Sequence, residues 1–310
     1  MSGLVFGTRM MVAAVCASAL FGAATACSTS SNSSDSSSGK LEVVATINAW
    51  GSIAAQLGGD KVHETSIIAN PDTDPHDYEP TPADARTVAG AKVFIANGIG
   101  YDAWADKLLS ADPGKDRVEL SVGKQLGVPE DGNPHQWYSP DSVAKIVDAI
   151  TADYKKADPA DSAYFDDQRI KFVNTALAKY NGLIADIKAK YAGTPVGASE
   201  SIFSPLSEAL GLNLITPPAF LKAISEGTDP APADKATIDQ QIATKAIKVY
   251  VYNSQNSTPD VQAQVDAAKK QGIEVSTVTE TLAPADAAFQ DWQSAQLQAL
   301  EDTLHKATGK

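Results

Sequence analysis

Short apolar runs alternate along this chain with longer stretches in which apolar residues recur every three or four positions. LEVVATI (41–47), TSIIA (65–69), KVFIAN (92–97) and RVELS (117–121) are the runs of a first half. PVGA (195–198), LNLIT (212–216), IKVYVY (247–252) and IEVSTV (273–278) repeat the arrangement in a second half. Strand-like runs alternating with helical patterns predict an α/β fold. The expected architecture is two α/β lobes, each a small, mainly parallel sheet flanked by helices. Helix starts share one chemical form: Thr81-Pro82, Ser139-Pro140, Asp158-Pro159 and Thr258-Pro259 each put a capping side chain before a proline. Proline suits the first helical position because its missing N–H would have had no partner there. Between the halves, Ile170, Val173, Leu177, Tyr180, Ile184, Ile187 and Tyr191 form an apolar stripe at helical spacing. At about 1.5 Å per residue, a helix over 159–191 would run about 50 Å, so one long rigid helix is expected to join the lobes. A coiled-coil seam is the other reading of that stripe.

The first residues change the picture. Met10 to Ala26 is apolar or small apart from Ser18 and Thr25, and Arg9 is the only charge before it. That length and composition predict a cleaved signal peptide over 1–26. It closes with Ala24-Thr25-Ala26-Cys27, which resembles a bacterial lipobox, so Cys27 is the expected lipidation site. The serine-rich run that follows reads as a flexible tether to residue 40. The expected divisions are therefore 1–26, 27–40, a first lobe over 41–157, the linking helix over 158–192 and a second lobe over 193–310. Both cysteines, Cys16 and Cys27, precede the lobes, which excludes disulfides and thiolate metal sites from the folded part. Losing Arg9 takes the formal net charge from −13 to −14. A surface that acidic repels nucleic acid and anionic headgroups.

Chemistry concentrates in two loops. NPDTDPHDYEPTPAD (70–84) places His76 among prolines and acids, and GNPHQWYSPDS (132–142) places His135 directly after a proline. In both, an aromatic follows, and then a Thr-Pro or Ser-Pro helix start. The chain has only four histidines, and His63, read as preceding a strand, and His305, near the C-terminal end of a helix, lack this setting and are expected to be solvated. Two imidazoles on stiff loops suit a transition metal, which then wants anionic oxygen. Glu200 follows the run PVGA and Glu280 follows IEVSTV, so both carboxylates fall at strand ends in the second half. Taken alone, each glutamate reads as a surface residue; the paired placement is what makes them candidates.

The segments DPHDYEPTPADAR, KVFIANGIGYDAW, NPHQWYSPDSVAKI and ASESIFSPLSEALGL closely resemble the cluster A-I solute-binding proteins of zinc and manganese ABC transporters. The resemblance covers about 41–310. It implies two lobes joined by one helix, with a metal between them on His76, His135, Glu200 and Glu280. It also implies a monomeric protein, lipid-anchored at the outer face of a bacterial cytoplasmic membrane, that delivers Mn2+ or Zn2+ to a permease and its ATPase. Two departures stand out. Glu280 occupies a position where relatives usually carry the shorter aspartate. Residues 77–134 hold no histidine, whereas zinc-specific members often carry a histidine-rich loop there. No enzyme is expected, because no His-Glu-x-x-His or Gly-x-Ser-x-Gly occurs. A siderophore or corrinoid carrier of the same architecture would need arginines in the candidate loops, and Arg86, Arg117 and Arg169 lie elsewhere. A surface adhesin or metal buffer remains open from sequence.

Overall fold

A computed structural model of the chain describes residues 39–71 and 78–310. Cys27, the signal segment, the tether through residue 38 and His76 lie outside the described residues. The first half forms strands β1 (Leu41–Ile47), β2 (Val62–Ile68), β3 (Val93–Ala96) and β4 (Val118–Ser121). The second forms β5 (Pro195–Ala198), β6 (Asn213–Leu214), β7 (Val249–Asn253) and β8 (Glu274–Val278). Each half makes one four-stranded sheet, ordered β2-β1-β3-β4 and β6-β5-β7-β8, and every strand pair is parallel. Every predicted run thus contributes a strand, although LNLIT contributes only two residues. Helices cover both faces of such sheets, so the central strands read as unbroken apolar runs: Val43 to Ile47 and Val249 to Val251 are fully buried.

The connecting helices are α1 (Asn48–Gly58), α2 (Pro82–Gly90), α3 (Ala103–Ala111), α4 (Val122–Leu126) and α5 (Pro140–Ala157) in the first half. The second half has α8 (Ser204–Ala209), α9 (Pro218–Ser225), α10 (Pro232–Ala243), α11 (Pro259–Lys270) and α12 (Phe289–Thr308). Thr81, Ser139 and Thr258 cap α2, α5 and α11 through their hydroxyls, as their place before proline predicts. Asp158-Pro159 differs: it opens a short 3₁₀ turn with no side-chain cap, and the helix proper begins at Ser162. Among the described residues no helix is long and apolar enough to cross a membrane.

The expected single linking helix is present, with a π turn inside it. It runs as α6 (Ser162–Lys171), a π turn over Phe172–Ala176, and α7 (Ala178–Tyr191). A π turn carries one extra residue, which shifts the helical phase by about 100° relative to an unbroken α-helix. The predicted stripe keeps its place after the turn, where Leu177, Tyr180, Ile187 and Tyr191 are buried. Before the turn it slips. Ile170 is 52% exposed, and Phe165 and Phe172 take the buried face. α6 packs on α1 and α5, whereas α7 packs on α12, so the two segments serve different halves. One continuous apolar cluster runs from β1 through Trp50, Trp137, Tyr138 and Tyr180 to α12.

Two histidines can be placed at once. His63 does not precede a strand: it lies within β2, at the edge of the first sheet, and its exposed Nδ1 meets Glu42 at 2.8 Å. His305 sits in the last turns of α12, exposed, beside the carbonyl of Lys310.

Candidate functional site

In an open parallel sheet, ligands collect beyond the carboxyl ends of the strands, where the strand order reverses. Both sheets reverse there, between β1 and β3 and between β5 and β7. Asn97 directly follows β3, Glu200 lies two residues beyond β5, Asn253 ends β7, and Glu280 lies two residues beyond β8. His135 sits immediately before a 3₁₀ turn, Gln136–Tyr138, that leads into α5. The side chains of His135, Glu200, Asn253 and Glu280 converge between the two sheets.

His135 is fully buried against Tyr101 and Trp137, with ring centroids 6.1 and 5.4 Å away. Asn133 decides its tautomer. The amide nitrogen of Asn133 donates to the Ser201 carbonyl at 2.7 Å, so its Oδ1 faces back and accepts from His135 N–H at 3.0 Å and from Nδ1 at 2.8 Å. With the ring proton on Nδ1, Nε2 presents its lone pair to the carboxylates. Nε2 stands 3.2 Å from Glu280 Oε1. Two acceptors that close call for a positive species between them, a proton or a metal ion.

Glu280 and Glu200 are both about 99% buried. Tyr101 donates its hydroxyl to Glu280 Oε2 at 3.2 Å. The Asn253 amide donates to Oε1 of both glutamates, at 3.0 Å for Glu280, and Asn256 donates to Glu200 Oε2 at 2.8 Å. Burial, and then the charge of Glu280, push the Glu200 carboxyl up to about 8, against the pull of His135, Asn253 and Asn256. Two carboxylates sharing one amide in a dry site cannot both ionise comfortably without a cation. Among the described residues no three acidic, histidine or cysteine side chains already stand as a closed metal cage. Asn253 instead joins Glu200 to Glu280, and Glu280 meets His135 directly.

The loop that delivers Tyr101 is strained. Gly98, Ile99 and Gly100 all take left-handed backbone, with φ of 71°, 60° and 74°. For a β-branched residue this is unusual, and Ile99 is buried there because Gly123 leaves it room: a Cβ on Gly123 would meet the Ile99 side chain at 2.5 Å. The Asp102 carboxylate pins the loop by accepting from the N–H groups of Asn97 and Gly98, both at 2.7 Å.

Sequence reading picked out His135, Glu200 and Glu280, and the structure brings these three together. It overlooked Asn253, Asn256, Asn133 and Tyr101. A signal for Asn253 exists in VYVYN, where an asparagine closes an otherwise apolar strand. Beside the site, a cavity of about 470 Å³ is lined by Tyr101, Glu130, Asn133, Ser201, Lys222 and Glu226, among others.

Comparison with known proteins extends this picture. The metal ABC transporter substrate-binding lipoprotein ScbA of Streptococcus cristatus is 27% identical over 253 residues, covering 76% of this chain and 79% of its own length. The manganese ABC transporter substrate-binding lipoprotein scaA of Streptococcus gordonii is 28% identical over the same shares. In fold, a Mn-bound mutant of the periplasmic metal binding protein of Candidatus Liberibacter asiaticus superposes with a TM-score of 0.72, at 20% identity, over 86% of this chain and all of that one. The solute-binding protein FpvC of Pseudomonas aeruginosa, in complex with Ni2+, superposes at 0.68, with 20% identity, over 87% of this chain and 99% of its own. The model of one family, ZnuA, described as zinc-uptake complex component A, periplasmic, matches residues 43–303, and the chain belongs to that family.

Proposed function

We propose that this protein is the extracytoplasmic solute-binding component of an ABC importer, capturing one divalent transition metal ion, Zn2+ or Mn2+, for delivery to a permease and its ATPase. One observation carries the reading. A buried imidazole Nε2 faces a buried carboxylate at 3.2 Å, and a second buried carboxylate shares that carboxylate's amide donor. Such an excess of buried acceptors is costly unless a cation joins them. The donor set is His76, His135, Glu200 and Glu280: two neutral imidazoles and two carboxylates, which together balance a divalent charge. Imidazole and carboxylate suit both zinc and manganese.

The lobes are 41–157 and 193–310, linked through 158–192, and lipidation at Cys27 tethers the monomer to the outer face of the cytoplasmic membrane. The protein has no catalytic role. The neighbouring cavity offers Lys222 and Tyr101 but, among the described lining residues, no arginine, which weighs against an anionic siderophore or a corrinoid as the ligand. The test is native mass spectrometry of metal-stripped protein titrated with zinc and with manganese. The expected result is one ion per chain, lost in His135→Ala and Glu200→Ala. Failure of the wild type to retain either ion would overturn the reading.

A further inference from the structure

We propose that the cavity beside the buried carboxylates is the passage by which a cation reaches them, and that Lys222 gates it. The inference rests on the proposed metal-binding role and goes beyond it by naming a route of entry and release.

A route is needed because the site is sealed. His135, Glu200 and Glu280 are each at most 1% exposed, and a close-packed interior gives no passage to a hydrated ion. The cavity of about 470 Å³ borders all three through residues of its wall. Tyr101 donates to Glu280 at 3.2 Å, and Asn133 accepts from His135 Nδ1 at 2.8 Å. Ser201 directly follows Glu200, and its hydroxyl lies 3.4 Å from the same His135 nitrogen. An ion with six waters needs about 180 Å³, at about 30 Å³ per water, so the volume suffices.

The exposed part of the wall is charged. Glu130, Asp131 and Glu226 line the cavity and reach solvent, while Ile99, Leu214 and Leu221 supply apolar wall. Acidic clefts with low-dielectric walls focus the field and draw cations in. Lys222 opposes them. It stands on α9 in the second half, and its Nζ donates at 3.0 Å to the Asp131 carbonyl in the first half. The same Nζ lies 3.5 Å from Glu226 Oε1. The ammonium thus ties one wall of the cavity to the other and puts a like charge in the path of an entering cation. Half of the Lys222 side chain is exposed, so its ion pair is weak and breaks readily. A strap that crosses an opening and yields at little cost can admit an ion without unpacking the buried ligands.

The experiment follows Zn2+ association and chelator-driven release by stopped-flow fluorescence, with Trp137, 5.4 Å from His135, as reporter. The wild type is compared with Lys222→Met, Lys222→Arg and Glu130→Gln/Asp131→Asn; the last leaves both Lys222 contacts in place. A gate predicts that Lys222→Met speeds association and release alike, by about threefold or more, so the dissociation constant barely changes. Lys222→Arg keeps the charge and the donor and should behave as the wild type. Glu130→Gln/Asp131→Asn should slow association by about threefold or more and flatten its dependence on salt. If Lys222 were only a repelling charge, Lys222→Met would quicken association while slowing release, and that result overturns the gate. Unchanged rates in both Lys222→Met and Glu130→Gln/Asp131→Asn overturn the passage itself. A wild type that takes up no Zn2+ would instead overturn the function on which the passage rests.

Discussion

The hydroxyl of Tyr138 joins the two halves of the molecule. It lies 2.8 Å from the Thr279 carbonyl and 3.0 Å from Gln296 Oε1, and it accepts from the Thr279 N–H at 3.3 Å. Burial raises its pKa far beyond the usual tyrosine range, so it remains a neutral donor. Tyr138→Phe keeps the ring packing against Trp292 but leaves buried polar groups short of a partner. The expected loss is about 1–3 kcal/mol in urea unfolding, with the native fold retained. Single side chains were unevenly legible. His135 announced itself by its Pro-His loop, and Glu200 and Glu280 by their position after strands. Asn253 did not, because an amide braces carboxylates only when its own oxygen is pinned, and that depends on Gln255 and the chain path.

Local sequence controls α2 almost completely. Thr81 and Asp84 cap each other reciprocally, and Tyr78 adds a third donor to the Asp84 carboxylate at 2.8 Å. Thr81→Ala should cost about 1 kcal/mol, read by denaturant unfolding. Partial burial would raise the Asp84 carboxyl, but hydrogen bonds from Thr81 and Tyr78 outweigh it and hold the group below its ordinary value of 3.8. A carboxyl lowered by folding stabilises fully above its unfolded pKa and loses that contribution as pH falls through the folded one. The cap should therefore hold at neutral pH and fray below about pH 4. Amide shifts of Thr81 to Ala85 should titrate in that acid range, and the titration should vanish in Asp84→Asn. The linking segment behaves differently. Its stripe was read at uniform α-helical spacing, and the π turn at Phe172–Ala176 moved Ile170 out to solvent. Ile170→Gln should change stability by less than about 0.5 kcal/mol, whereas Phe165→Ala should cost about 3–5 kcal/mol. Equal losses from the two would contradict the phase shift.

Taken whole, the molecule holds its two sheets together by contacts beyond the linking segment. The Phe289 N–H donates to Ser52 Oγ at 2.9 Å, the Leu282 N–H to Asn48 Oδ1 at 3.2 Å, and Asn133 to Ser201 at 2.7 Å. A ligand bound between the sheets adds its own linkage. Metal at about a hundred times its dissociation constant should raise stability by about 2.7 kcal/mol and lift the melting temperature, reversibly on chelation. A melting curve indifferent to metal would contradict a site between the halves. At the membrane, Cys27→Ser should move the protein from the membrane fraction to the soluble one, and unchanged partitioning would sink the lipid anchor.

Hydrophobic periodicity and the Thr-Pro and Ser-Pro helix starts were local signals, and local signals survive folding. Eight apolar runs became eight strands, and the central strands β1, β3, β5 and β7 are the most apolar because helices cover both their faces. Strand order, the π turn and the fixing of Asn253 came from contacts distant in sequence. Gln255 illustrates why: its amide reaches the Pro71 carbonyl and the Thr281 hydroxyl, tying the start of the His76 loop to the turn that carries Glu280. Sequence supplied the metal-binding types of side chain. Only the packing of two sheets end to end decided which of their atoms face one another, because burial, not sequence neighbourhood, sets both the charge state and the direction of a carboxylate.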